Sequence, residues 1–169
     1  MFMLCLTTLP LYAGEGITSR TDHQQRVIEV ARKVIEAAGV SALITIDQEG
    51  QPRARTVASF VPDDGFVVWI ATRPVTRKVI QITQNNRVTL YYFDTVTNSY
   101  VTLMGTAELV DDVATKTAMR REQDGPRFYP GFPDDYLLIK VTPQSMEVLG
   151  GEFRGDPETW QPEIVNLSQ

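Results

Sequence analysis

The chain has 169 residues, 43% apolar and 22% charged, with 16 basic against 21 acidic side chains. That is the length of one domain, enough to bury a sizeable core. A net charge of −5 argues against bulk attraction to nucleic acid or an anionic membrane; a single cysteine (Cys5) excludes an internal disulfide framework, and a single histidine (His23) excludes a multi-histidine zinc site.

In chain order, residues 1–13 (MFMLCLTTLPLYA) form an apolar run that ends at a small residue and has no Lys or Arg ahead of it. The run reads as a signal peptide shortened at its start, as an ordered strand, or as a tail. A cytoplasmic location is expected, or a periplasmic one if the run is a truncated signal. No stretch of 18 apolar residues occurs, so no membrane-spanning helix is expected. Residues 21–24 (TDHQ) have the spacing of a capping box. Behind them Val27, Val30, Ala31, Val34, Ile35 and Ala38 recur at helical spacing, with Gly39 where a helix-ending glycine belongs.

The period then changes to two. Residues 40–47 and 51–60 read as a hairpin around Gln48-Glu49-Gly50, and Pro62-Asp63-Asp64-Gly65 is a further turn. Residues 66–71 (FVVWIA) are a continuous apolar run, expected to be a strand buried on both faces. Residues 76–84 fit a short helix with Val79, Ile80 and Ile82 inward. Residues 87–93 and 99–110 are two more strands. Asp111 or Asp112 then caps a helix to about Glu122, which is a better reading of the acidic pair than a metal site. A Gly/Pro-rich loop follows over residues 123–135, where Arg127, Phe128, Tyr129 and Phe132 suit a lid or a dimer contact. A sixth strand runs over residues 136–142 and continues at 145–149. The tail from Gly150 has no clear period, and its Trp160 is expected to pack on the barrel or on a partner subunit. The divisions expected are a segment 1–20, a domain 21–149 and a tail 150–169. Antiparallel strands of this number bury one face by closing or stacking, so the fold class is mainly β, a small barrel with flanking helices.

Charge chemistry concentrates in two places. Arg53 and Arg55 project from one strand face, where two like charges repel unless an anion or carboxylates intervene. The competing reading is a solvated outer face. After the strand FVVWIA comes Thr72, and then Thr76 as the N-cap of a helix opening with Arg77 and Lys78. The helix dipole disfavours cations there, whereas free N–H groups, a hydroxyl and two cations suit a phosphate. Exposed surface ion pairs are the bland alternative. No Walker or GxGxxG motif is present.

The segments RARTVAS, FVVWIATRPVTRKVIQI, YVTLMGTAELVDD and YPGFPDDYLLIKVTP together resemble the pyridoxamine 5′-phosphate oxidase-like superfamily of FMN-binding split barrels, in its general-stress-protein-like branch. The resemblance runs from about Val27 to Leu149. It implies a six-stranded antiparallel split barrel that forms a homodimer, with FMN at the dimer interface and a small organic substrate. It assigns the flavin contacts to Arg55, Thr56, Val57 and Ala58, with Arg53 just upstream, and to Ala71 and Thr72. It assigns the phosphate to Thr76, Arg77 and Lys78. Tyr100 stands where the family has a glutamine that touches the flavin, and a stacked ring or a hydroxyl hydrogen bond would replace that contact. The tail does not reproduce the extension that shapes the pyridoxal phosphate site in the oxidases proper, so that activity is not expected. The resemblance implies an FMN-dependent oxidoreductase, with a flavin-binding sensor or stress protein lacking turnover as the alternative. Deazaflavin F420 would use the same cations, and haem is disfavoured because His23 lies ahead of the barrel. No residue is singled out as catalytic.

Overall fold

The computed structural model describes residues 16–167, with side chains from Asp22 onward. The readings of residues 1–13 lie outside them. The elements are α1 (Gly16–Ala38), β1 (Ser41–Ile46), β2 (Pro52–Val57), β3 (Val68–Thr72), α2 (Arg77–Gln84), β4 (Arg87–Asp94), β5 (Ser99–Val110), α3 (Val113–Met119), β6 (Leu137–Leu149) and β7 (Glu163–Asn166). No helix among the described residues is long and apolar enough to cross a membrane.

Helix α1 buries Val27, Ala31, Val34 and Ile35, one face of the 3.6-residue period. It starts at Gly16, so residues 21–24 are interior and do not cap it. The Thr-x-x-Gln spacing also occurs inside helices, and the preceding residues contain no breaker before Gly16. Gly39 ends the helix at φ 67°, with its N–H donating to the Ile35 carbonyl at 3.2 Å. Only glycine adopts that backbone without strain.

The strands are all antiparallel, in the order β2-β1-β4-β5-β6-β3, and β7 also pairs with β6. The six-stranded expectation therefore gains a strand: the tail's Glu163–Asn166 adds to β6, burying Val165. A four-residue strand is too short to announce itself by period. The long pair β5–β6 folds the sheet. Its register shifts between Met104 and Gly105, opposite Pro143. A Cβ on Gly105 would stand 2.1 Å from the Thr142 carbonyl oxygen, so the close approach there needs glycine. The curled sheet brings residues just after β2 to β3, joined by the isolated bridge Ser59↔Ile70 and by Phe60 N–H donating to the Trp69 carbonyl at 2.8 Å. No full ladder closes the ring, which makes the barrel a split one.

Leu43, Leu90, Val101, Leu103, Ile139, Val141, Met146 and Val148 fill the interior beneath α1. Burial alternates along residues 66–72; the apolar run is not buried equally on both faces. Its outward residues Trp69 and Ala71 are half-covered by a second cluster of Tyr129, Tyr136 and Leu138. The 123–135 segment thus folds onto the outside of β3. Helix α3 ends at Met119, three residues short of Glu122, with Asp112 as its cap accepting from Thr115 N–H at 2.8 Å. The following Arg120 and Arg121 turn away to hold the loop, as described below. Trp160 is 75% exposed and does not pack on the barrel.

Candidate functional site

Helix α2 starts at Arg77 with Thr76 as its N-cap in extended conformation. The Thr76 hydroxyl does not cap the helix. It donates to the Arg73 carbonyl at 2.9 Å and lies 3.2 Å from the Thr72 hydroxyl. The first turn has no acidic residue, so the positive end of the helix dipole stands unneutralised beside two cations. Neither Arg77 nor Lys78 forms an ion pair among the described residues. Arg55 approaches the same place from β2. Its guanidinium donates to the Thr45 hydroxyl at 2.6 Å, the Gln81 side-chain oxygen at 2.9 Å and the Leu43 carbonyl at 3.2 Å. Those acceptors orient it but carry no charge.

The three cations feel one another. Burial, then the charge of Arg77, pulls the Arg55 guanidinium below its ordinary pKa. Burial, then the charge of Arg55, does the same to the Lys78 ammonium. A bound anion would relieve this mutual repulsion, which makes the cluster a candidate anion site.

Lys78 faces a cleft of about 440 Å³, within the size range of small-molecule sites. Seven residues singled out by sequence line it: Thr56, Val57 and Ala58 after the hairpin, Ala71 and Thr72 at the end of β3, Thr76, and Lys78. They come from two stretches, residues 56–58 and 71–78, and the curl of the sheet brings them to one rim. The opposite wall comes from the loop after α3. Arg121 grips Asp124 through Nε at 2.9 Å and Nη2 at 3.0 Å, and its Nη1 donates to the Ala58 carbonyl at 3.1 Å. Its guanidinium lies 3.8 Å from the Phe60 ring centroid. Tyr136 donates its hydroxyl to Asp124 at 3.1 Å. Burial pushes the Asp124 carboxyl up, but Arg121 and Tyr136 outweigh it and hold the group below the usual range. Phe128 and Tyr129 also line the cleft, the Tyr129 ring packed edge-on against Tyr136 at 4.6 Å.

The remaining sequence candidates fall elsewhere. Arg77 does not line the cleft; it lines a smaller depression with Arg53 and Asp47, while its charge still reaches Arg55. Arg53 is ion-paired with Asp47 at 2.5 Å, so its charge is already matched. Tyr100 lies across the sheet, its ring 5.6 Å from that of Tyr91, and does not line the cleft. Ile80, expected inward, is 51% exposed, and Gln81 is buried in its place because its amide oxygen serves Arg55 and Thr45. Four contributors escaped the sequence reading: Thr45, Gln81, Arg121 and Asp124. Thr45 left a trace, as a polar residue at the inward parity of β1; the other three left none. Among the described residues no group of side chains is arranged to hold a metal ion.

The fold and the cleft define a split β-barrel with a cationic helix start beside a cleft. The family model for pyridoxamine 5′-phosphate oxidase matches residues 27–149, and the chain belongs to that family. No curated protein matches the sequence. Among solved structures, one from Clostridium acetobutylicum, related to general stress protein 26 of Bacillus subtilis, is similar at TM-score 0.70 and 21% identity, over 85% of this chain and 95% of that one. A pyridoxamine 5′-phosphate oxidase-related FMN-binding protein from Nostoc punctiforme is similar at TM-score 0.56 and 16% identity, over 90% and 98%. A haem-binding protein from Mycobacterium smegmatis is similar at TM-score 0.60 and 19% identity, over 81% and 56%. At these identities the likeness is one of fold.

Proposed function

We propose that this chain binds FMN and serves as an oxidoreductase for a small organic substrate. The observation that carries the proposal is the set Arg55, Arg77 and Lys78, three mutually repelling cations without a carboxylate partner, at an uncapped helix start beside the cleft. The residues fit the group. A phosphate at the start of α2 would meet the Lys78 ammonium and backbone N–H groups, and the Thr76 hydroxyl once it turns from the Arg73 carbonyl, with Arg55 and Arg77 compensating its second charge. Strand residues 56–58 and 71–72, with small side chains, would leave room for a planar ring system against the backbone. When bound, the flavin would supply the hydride or electron chemistry. The protein's part is to fix the phosphate through Lys78, to shield one ring face with strand backbone, and to exclude water with Phe128 and Tyr129.

The oxidoreductase reading follows from the cofactor; no acid–base pair faces the cleft. Tyr100 is remote from the cleft of its own chain, so the flavin contact that the family resemblance assigns to it requires a second copy, and the working unit is proposed to be a homodimer. F420 would use the same cations. Haem is favoured less, because the ring of the only histidine, His23, is bonded to Glu163 at 3.1 Å and packs on Phe153, leaving no imidazole at the cleft. The test is the visible spectrum of the purified protein, with mass spectrometry of what heat releases. A flavin spectrum and the FMN mass are expected. A colourless protein that also fails to take up added FMN would refute the proposal.

A further inference from the structure

In the β1–β2 register Arg55 stands opposite Leu43, so its side chain shares the inward face of the sheet with Leu43 and Thr45. Thr45 is fully buried, and Gln81, which reaches it from α2, is buried as well. Burying polar side chains costs free energy unless they are bonded. These two side chains bond one another and Arg55, and no other group among the described residues.

The proton positions follow from the partners. An arginine only donates, so the Gln81 atom 2.9 Å from Arg55 Nη2 is the amide oxygen. The same oxygen accepts from the Thr45 hydroxyl at 2.6 Å, and the hydroxyl oxygen accepts from Arg55 Nη1 at 2.6 Å. Because Thr45 and Gln81 are bonded to each other, they lie side by side across the Nη1–Nη2 edge of the guanidinium. Nη1 also donates to the Leu43 carbonyl. These bonds take three of the five N–H groups that a guanidinium carries. The Nε–H and the second Nη2–H are uncommitted among the described residues. Together they form the adjacent edge of the fork, which can take two oxygens of one anion.

Neither holder carries charge, although carboxylates are near. Asp47 and Glu49 line the same small depression as Gln81. Asp47 is taken by Arg53 Nε and by the backbone N–H groups of Glu49 and Gln51. No carboxylate pairs with Arg55 among the described residues. A glutamate at position 81 would have nearly the shape of the glutamine and would match the Arg55 charge. The amide orients Arg55 and leaves its charge unmatched beside Arg77 and Lys78.

Building on the FMN site proposed above, we infer that Thr45 and Gln81 are its positioning residues and that the neutrality of Gln81 sets its specificity. The pair holds Arg55 by one edge without matching its charge. The other edge is thereby reserved for a phosphate monoester dianion, in preference to a ligand that lacks the phosphate.

FMN and riboflavin, which differ in the phosphate, are titrated into the full chain with flavin fluorescence as the readout. Inorganic phosphate is the third probe, read by the rise in melting temperature. Gln81→Glu should weaken FMN about 10–10²-fold, the value of one charge-assisted contact. It should also remove the response to phosphate and leave the weaker riboflavin binding unchanged. Thr45→Val, which keeps the shape and loses the acceptor, should weaken FMN about 3–10-fold, and Thr45→Ser should restore it. A chain that ignores FMN but is stabilised by phosphate, with that response lost in Gln81→Glu, would refute the flavin reading and keep this inference. Undiminished FMN affinity in Gln81→Glu would overturn it. So would an equal loss for FMN and riboflavin, the mark of a merely structural role, or a parent chain that neither FMN nor phosphate stabilises. Should Gln81→Glu not fold, the Thr45 variants decide: FMN affinity that Thr45→Val leaves unchanged, or that Thr45→Ser does not restore, overturns the inference.

Discussion

Replacing Arg77 and Lys78 together by alanine has two effects of opposite sign. In the cofactor-bound protein, the charge-assisted contact of Lys78, worth about 1.5–3 kcal/mol, disappears together with the longer-range attraction of Arg77. A loss of at least about 1.5–3 kcal/mol corresponds to a weakening of FMN binding by about 10–10²-fold or more. In the cofactor-free protein, nothing that holds the fold together is lost, because neither side chain is ion-paired among the described residues. Repulsion of Arg55 falls instead, since Arg77 and Lys78 are the charges it faces. The cofactor-free variant should therefore melt no lower than the cofactor-free parent. The parent should gain about 2.7 kcal/mol at an FMN concentration 100 times Kd, a rise of about 5–10 °C for a chain of this size, and the variant should show a smaller rise or none. Quenching of flavin fluorescence reads the affinity, and thermal melting with and without FMN reads the stability. An unchanged Kd would remove these residues from the site. A variant that melts well below the parent without FMN would show that the two cations stabilise the fold and would refute the repulsion argument.

Asp124→Asn should destabilise the chain by about 1–3 kcal/mol at neutral pH, because it removes the charged partner of Arg121. The native carboxyl titrates below its ordinary value, so this stability is fully present above the unfolded-state pKa of about 3.9 and is lost as pH falls through the native value. Urea unfolding of parent and variant across acid pH should show the gap closing, and a gap independent of pH would contradict the ion-pair account. Gly105→Ala should cost about 3 kcal/mol or prevent folding, since the new methyl would meet backbone at Thr142 and Pro143. Denaturant unfolding with less than about 1 kcal/mol of change would mean that the bend is not set by that close approach.

Much of this molecule was legible in one dimension. The core face of α1 follows from helical spacing, the strands from period two, and the end of α1 from Gly39. Arg77 and Lys78 at the start of α2 could be singled out because cations there oppose the helix dipole. These are local signals: each depends on residues within a turn or a strand length of one another. The capping-box reading failed for the same reason, since a short spacing cannot report what precedes it.

The tertiary structure decided the rest. Arg53 and Arg55 are equivalent in the sequence, two residues apart on one face, yet Asp47 matches the charge of the first while only neutral groups hold the second. Gln81 displaced Ile80 from the interior of α2 because Arg55 and Thr45 required an acceptor there. Arg121 and Asp124 became a wall of the cleft only because the loop after α3 folds back over β3 to meet the Ala58 carbonyl 63 residues away. The sequence by itself determined most helix and strand segments, though not β7 or the start of α1, and where cationic charge is concentrated, since those depend on near neighbours. Which charges stay unmatched, and which cavity they face, depended on the curl of the sheet, which joins distant residues through contacts that no local pattern encodes.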